Sequence, residues 1–349
     1  MKKYVMIIVL LVLASSIMIF VYQNYGQTDT DGNKIKIGFM VDSLVIERWQ
    51  KDRDIFMSKA KELGAEVILK NANENARLQS EQVRELIKAE VDVIVIIPYD
   101  RSTIGPALKQ AKRSGIKVIS YDRLAKEGDV DLYISFDNFL VGQMMGEELV
   151  KKVPKGNYVI INGSKKDNNS FMLNEGYMSV LQPYINSGDI KILSEIWADD
   201  WREVYAYNTV NEVLDSGMSI QAIIGANDDL AEGAIRVLLE RQLAGEVYVV
   251  GHDANLSACQ RIVEGTQFVT IYKPIKDLAQ MAAEIAVRLA NGGVVESEYV
   301  INDGEQDTPF IKLTPKLVNK ENIDEIIIND GFHLKEEVYR NIPKSYWPK

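Results

Sequence analysis

Carboxylates, amides and cations recur where a chain of alternating strands and helices would place its strand ends. Asp42, Pro98-Tyr99-Asp100, Asp122-Arg123, Asp167-Asn168-Asn169, the stretch from Trp197 to Trp201, Asn227-Asp228-Asp229, His252-Asp253 and Lys273-Pro274 each follow a short apolar run. Carboxylates accept hydrogen bonds, Arg and Lys donate them, and amides do both. Tryptophan adds a flat apolar face. Gathered around one cleft, such a set suits an uncharged, polyhydroxylated ligand. Its hydroxyls would meet donors and acceptors while the C–H face of its ring met an indole. Each residue alone has a plainer reading. Asp or Asn at a strand end is often only a helix N-cap. A tryptophan is more often core, and Arg123 beside Asp122 could be a surface ion pair of small value. Recurrence at strand after strand is what points to a site.

Other chemistries lack their residues. Cys259 is the one cysteine, so no intrachain disulfide and no Cys-based zinc site can form. His252 and His333 have no ligand-like spacing, and no carboxylate-rich loop suggests a metal. No G-x-G-x-x-G follows the first strand, and no G-x-S-x-G elbow occurs. Gly163-Ser164-Lys165 lacks the earlier glycine of a phosphate loop. Two carboxylates facing a sugar could mimic a glycosidase. Asn, Arg and Lys partners would keep these ionised, which suits binding more than acid catalysis. The expectation is a binding protein, not an enzyme, with no metal and no cofactor. A formal net charge of -10 argues against a nucleic-acid partner.

The elements that must position these residues alternate along the chain. Strand patterns at 35–41, 67–69, 93–97, 117–121 and 132–136 are separated by helix patterns at 47–63, 76–89 and 103–113. The run Val93-Ile94-Val95-Ile96-Ile97 reads as a strand buried on both faces. The rhythm repeats with strands at 158–161, 190–196, 222–225, 247–250 and 268–272 and helices between them, ending with one at 278–291. Strands spaced by such helices form parallel sheets with right-handed crossovers. So many units predict an α/β protein of two doubly wound parallel-sheet lobes, in which ligands bind beyond the carboxyl ends of the strands.

At the N-terminus, Lys2 and Lys3 precede an uncharged run from Tyr4 to Tyr22. As a helix this run would span about 28 Å, close to a bilayer core. Ala14-Ser15-Ser16 is followed by more apolar sequence, whereas a cleavage site normally ends the run. No cysteine follows for a lipid anchor. The reading is an uncleaved signal anchor with the remainder of the chain outside, a cleaved secretory signal being the alternative. Residues 24–33 read as a flexible tether.

Several stretches carry a family resemblance. They are Glu47-Arg48-Trp49-Gln50-Lys51-Asp52-Arg53-Asp54-Ile55-Phe56, Val95-Ile96-Ile97-Pro98-Tyr99, Tyr121-Asp122-Arg123, Tyr133-Ile134-Ser135-Phe136-Asp137-Asn138, Asp167-Asn168-Asn169, Tyr272-Lys273-Pro274-Ile275 and Asp330-Gly331-Phe332-His333. Through them the chain resembles the D-xylose-binding branch of the periplasmic sugar-binding proteins, from about Ile35 to His333. The resemblance implies the periplasmic binding protein type I fold, two lobes joined by a three-crossing hinge. It implies sugar contacts at Arg48, Asp122, Arg123, Asp167, Asn169, Asn227, Asp253 and Lys273, with Trp49 and Trp201 as stacking aromatics. The crossings are expected near Phe136, Gln267 and Ile301. That assigns 1–33 to anchor and tether, 34–136 plus 268–300 to the N-terminal lobe, 137–267 plus 301–335 to the C-terminal lobe, and 336–349 to a tail. The apolar run departs from the transport members. It resembles instead a clostridial sensor branch, whose anchored sugar-binding protein signals to a LytS-type histidine kinase. An ABC permease is the alternative partner. A cytoplasmic repressor sharing the fold would need a helix-turn-helix where this chain has its apolar run.

Overall fold

The computed structural model describes residues 34–348. Short β-branched runs form the central strands, which are buried throughout, as expected where helices cover both faces of a sheet. In the first lobe the elements are β1 (Lys36–Val41), α1 (Glu47–Glu62), β2 (Glu66–Asn71), α2 (Ala76–Lys88), β3 (Val93–Ile96), α3 (Gly105–Arg113), β4 (Lys117–Tyr121) and β5 (Leu132–Phe136). The chain then enters the second lobe with α4 (Asn138–Lys152), β6 (Gly156–Asn162), α5 (Asn168–Ser187), β7 (Ile190–Trp197), α6 (Glu203–Asp215), β8 (Ala222–Gly225), α7 (Asp228–Glu240), β9 (Tyr248–His252), α8 (Leu256–Glu264) and β10 (Val269–Tyr272). It returns through α9 (Ile275–Ala290), β11 (Tyr299–Asn302) and β12 (Asp307–Leu313), and ends with β13 (Lys316–Val318) and the single turn α10 (Lys335–Val338).

The first sheet has the order β11-β12-β5-β4-β3-β1-β2, the second β13-β10-β9-β8-β6-β7. All pairings are parallel except β11 with β12 and β10 with β13. The two lobes thus repeat one doubly wound plan. In each, the strand order reverses beside the first strand, β1 or β6, and a crevice opens at such a switch point.

The crossings follow Phe136, Tyr272 and Leu313. Two of them differ from the expected positions near Gln267 and Ile301. Val269–Tyr272 is fully buried and hydrogen-bonds to β9, so 268–272 stays in the second sheet and only α9 crosses over. β11 and β12 extend the first sheet past β5, so 301–313 belongs there as well. The segment read as a tail is packed too: Val338 and Tyr339 are buried with Tyr272, Cys259 and Ile327. The expected anchor and tether, residues 1–33, lie outside the described residues. Among the described residues, no helix is long and apolar enough to cross a membrane.

Candidate ligand-binding site

The strand ends of both lobes face one cavity of about 550 Å³, within the roughly 300–1,000 Å³ usual for small-molecule sites. The first turn of α1 contributes Arg48 and Trp49, and the turn after β4 contributes Asp122 and Arg123. The second lobe supplies Asn169 from the start of α5, Trp201 from the turn after β7, Asn227 after β8, His252 and Asp253 at the end of β9, and Lys273 after β10. Nine of the ten residues expected from the sequence therefore line one wall system. The tenth, Asp167, stands behind Arg123 and pairs with its Nε at 2.8 Å.

Two strand-end residues cap helices and also stand at the cavity or directly behind its wall. Asn227 caps α7, its Oδ1 accepting from the Leu230 N–H at 3.0 Å, and also lines the cavity. Asp167 caps α5 by accepting from the Asn169 N–H at 2.9 Å. Each cap leaves its helix N-terminus, with its partial positive charge, pointing at the cleft.

Arg48, Arg123 and Lys273 on the wall are each paired with carboxylates. Arg48 donates to Asp122 and reaches Asp253 at 3.3 Å. Below it, Asp52 lies one helical turn along α1 and accepts a hydrogen bond from the Tyr121 hydroxyl. Burial disfavours the Arg48 charge, but Asp122, Asp52 and Asp253 outweigh it and hold the pKa above the ordinary guanidinium value. Arg123 donates to Asp42 at 2.7 Å. Lys273 lies 3.7 Å from Asp253, and burial holds its pKa below the usual lysine value. Burial also opposes the Asp253 carboxylate, yet His252 once it is protonated, with Lys273, Arg48 and Arg123 at any pH, holds its pKa well below the ordinary range. His252, lowered to about 3 chiefly by burial, is neutral at physiological pH.

The backbone is bent to aim these groups. Asp122, Trp201, Asp253 and Ala254 have φ of 59°, 58°, 96° and 53°. Such conformations cost free energy in non-glycine residues and persist only where neighbours enforce them. For Asp122, the enforcing bonds run to its carbonyl from the Tyr133 hydroxyl at 2.8 Å, the Ser135 hydroxyl at 2.7 Å and the Asn169 amide at 3.1 Å. Trp201 fits because residue 163 is glycine: a Cβ there would come within 2.3 Å of Trp201 Cη2. The indole N–H groups of Trp49 and Trp201 are both buried and have no acceptor in the protein.

At the edge of the cavity, where Asp200 lines it, the lobes also meet directly. Lys166 Nζ donates to the Tyr99 hydroxyl at 2.8 Å and to Asp200 at 2.9 Å, and Tyr99 donates to Asp200 at 3.0 Å. The Arg101 guanidinium bonds to Asn168 at 3.0 Å and stacks 4.2 Å from the Phe171 ring. Sequence reasoning placed Tyr99 at a strand end but had no way to find its partners. Asp229 and His252, both flagged at strand ends, line the cavity, whereas Asn255, Gln260 and Arg340 on its wall were missed. Trp197, flagged with Trp201, packs instead on Phe171 at 4.8 Å. Among the described residues no cluster of His, Cys, Asp and Glu could hold a metal.

Comparison with known proteins gives this geometry a family. A family model described as a periplasmic binding protein domain matches residues 37–293. The D-xylose-binding periplasmic protein of Escherichia coli is 45% identical over 306 residues, 87% of this chain and 93% of that protein. Its namesake in Haemophilus influenzae is 42% identical, covering 87% of this chain and 92% of that one. Among solved structures, a carbohydrate transporter solute binding protein from Chloroflexus aurantiacus in complex with D-glucose has a TM-score of 0.82 at 26% identity, covering 87% of this chain and 98% of that one.

Proposed function

The chain belongs to the periplasmic binding protein family, and from that premise we propose that it is an extracytoplasmic receptor, not an enzyme, that closes its two lobes on one molecule of D-xylose. The observation that carries this is the internal pairing of the three cations that stand among the expected contacts. Arg48 is matched by Asp122 and Asp253, Arg123 by Asp42 and Asp167, and Lys273 by Asp253. An ionic ligand would upset that balance in a desolvated site. A neutral polyol instead donates to the carboxylates and accepts from the cations, while Trp49 and Trp201 offer apolar faces to its ring. The sugar touches Arg48, Trp49, Asp122, Arg123, Asn169, Trp201, Asn227, Asp253 and Lys273, with Asp167 holding Arg123 from behind. The relatives named for D-xylose support the pentose.

Calorimetric titration with a panel of pentoses and hexoses tests the ligand. D-xylose binds tightly and D-glucose much more weakly, because a hydroxymethyl group must find room beside Trp49 and Trp201. Equal affinity for glucose overturns the assignment.

In the same reading the apolar run at 4–22 anchors the receptor in the cell membrane, and closure presents a surface to a LytS-type histidine kinase. Closure can signal because sugar binds the closed form better than the open one. The likeness to a carbohydrate transporter solute binding protein of Chloroflexus favours a second reading, delivery to an ABC permease. Mass spectrometry of the membrane fraction separates them. The sensor reading expects the full-length chain; a mature N-terminus at Gln23 or later favours the soluble transport component.

A further inference from the structure

Asp228 follows Asn227 in sequence but points the other way, fully buried and off the cavity wall. We infer that Asp228 is a positioning residue for sugar binding, which sets the aim of Asp253 through Thr270 and the backbone N–H groups of Ala254 and Asn255. This rests on the reading of the cavity as a sugar site.

The Asp228 carboxylate collects three donors. Oδ2 accepts from the Thr270 hydroxyl at 2.8 Å and from the Asn255 N–H at 3.0 Å, and Oδ1 accepts from the Gln267 amide at 2.7 Å. The Thr270 hydroxyl spends its single proton on Asp228, so its lone pair is free to accept the Ala254 N–H, at 3.1 Å. Two successive backbone N–H groups after Asp253 are therefore fixed, one directly and one through a hydroxyl relay. Arg261 orients the relay's other arm by donating to Gln267 Oε1 at 3.1 Å, which leaves the Gln267 amide N–H facing Asp228.

This is the turn in which Asp253 and Ala254 have φ of 96° and 53°. Neither conformation is one a non-glycine residue keeps without enforcement. Asp228 reaches across from the end of β8 to β10 because β9 has a glycine between them. A Cβ on Gly251 would stand 2.3 Å from Asp228 Oδ1. Released from these bonds, the turn relaxes, and the Asp253 carboxylate loses its alignment with Arg48 and Lys273.

Thr270→Val and Thr270→Ser test the relay, since only serine keeps the hydroxyl. Three measurements are made on the full chain: D-xylose affinity by calorimetry, ligand-free melting temperature, and exchange rates of the Ala254 and Asn255 amides without sugar. Thr270→Val is expected to weaken affinity roughly tenfold and to speed exchange at Ala254. Thr270→Ser restores both to within about threefold of wild type and melts above Thr270→Val, which leaves buried groups without a partner. Should valine prevent folding, Thr270→Ala takes its place. Wild-type affinity and exchange in Thr270→Val overturn the inference, as does a serine variant as weak as the valine one. If the unaltered protein binds no sugar, the sugar reading fails, while the exchange rates still decide whether Asp228 and Thr270 hold the turn.

Discussion

At the scale of single residues, the site residues divide by what else they hold up. Asp253 belongs to the cavity wall, where water can replace a lost partner when no sugar is bound. Asp253→Ala should therefore fold, yet it removes an acceptor that sits between Arg48 and Lys273. Losing a hydrogen bond to a charged group costs about 1.5–3 kcal/mol, so affinity for D-xylose should fall roughly tenfold or more. Trp201 is different. Its indole is only partly buried but packs against both hydrophobic clusters of the second lobe. Trp201→Ala should weaken binding and also cost ligand-free stability, read as a lower melting temperature, though less than the roughly 3–5 kcal/mol of a fully buried tryptophan. Titration and ligand-free melting of both variants check this. Normal affinity in both would remove these residues from the site. The division also marks the reach of sequence reasoning. Asp122, Asn227, Asp253 and Lys273 were legible because each follows a strand. Asp52 was not, since a carboxylate in mid-helix reads as solvated surface. Only the fold turns that face of α1 inward, where Asp52 is fully buried under Arg48.

At the scale of elements, parallel strands announced themselves as apolar runs, and their order followed from the doubly wound plan. The return strands were hidden. β13 is three residues long, β11 is largely exposed, and β12 carries Pro309, so none has the buried β-branched signature of β3. Hence two hinge crossings lie elsewhere than the sequence suggested. Helix contacts were equally invisible. α4 and α5 approach so closely that Gly142 faces Leu173 and Gly176 faces Phe139. A Cβ on Gly176 would stand 2.1 Å from the Phe139 carbonyl oxygen, backbone that cannot swing aside. Alanine is the better helix former by about 0.5–1 kcal/mol. Overpacking works against it and typically costs about 1–3 kcal/mol. Gly176→Ala should therefore lower the melting temperature, and because α5 starts at Asp167 and Asn169, it should weaken sugar binding too. A variant as stable as wild type or more so would mean that the two helices separate freely.

At the scale of the whole molecule, binding energy is divided between the sugar and the contacts that lobe closure makes. Tyr99 and Arg101 lie in the first lobe; Lys166, Asn168, Asp200 and Phe171 lie in the second. None of these pairs survives opening, so each favours the closed form whether or not it touches ligand. A ligand that binds the closed form sees an affinity scaled by how readily that form is reached. Tyr99 and Arg101 themselves lie off the cavity wall, so replacing them removes contacts between the lobes and lowers the closed population. Net values of about 0.5–1.5 kcal/mol per hydrogen bond convert to roughly two- to tenfold each. The double variant Tyr99→Phe with Arg101→Ala should thus weaken D-xylose binding severalfold or more. The sugar enters the open form, in which these groups are apart, so the association rate should hardly change and the loss should appear as faster release. Stopped-flow measurement of both rates checks this, and small-angle scattering with saturating sugar should find the wild-type closed dimensions. Release at the wild-type rate would mean that these contacts contribute nothing to closure. A slower association with unchanged release would instead place them in the path by which sugar enters.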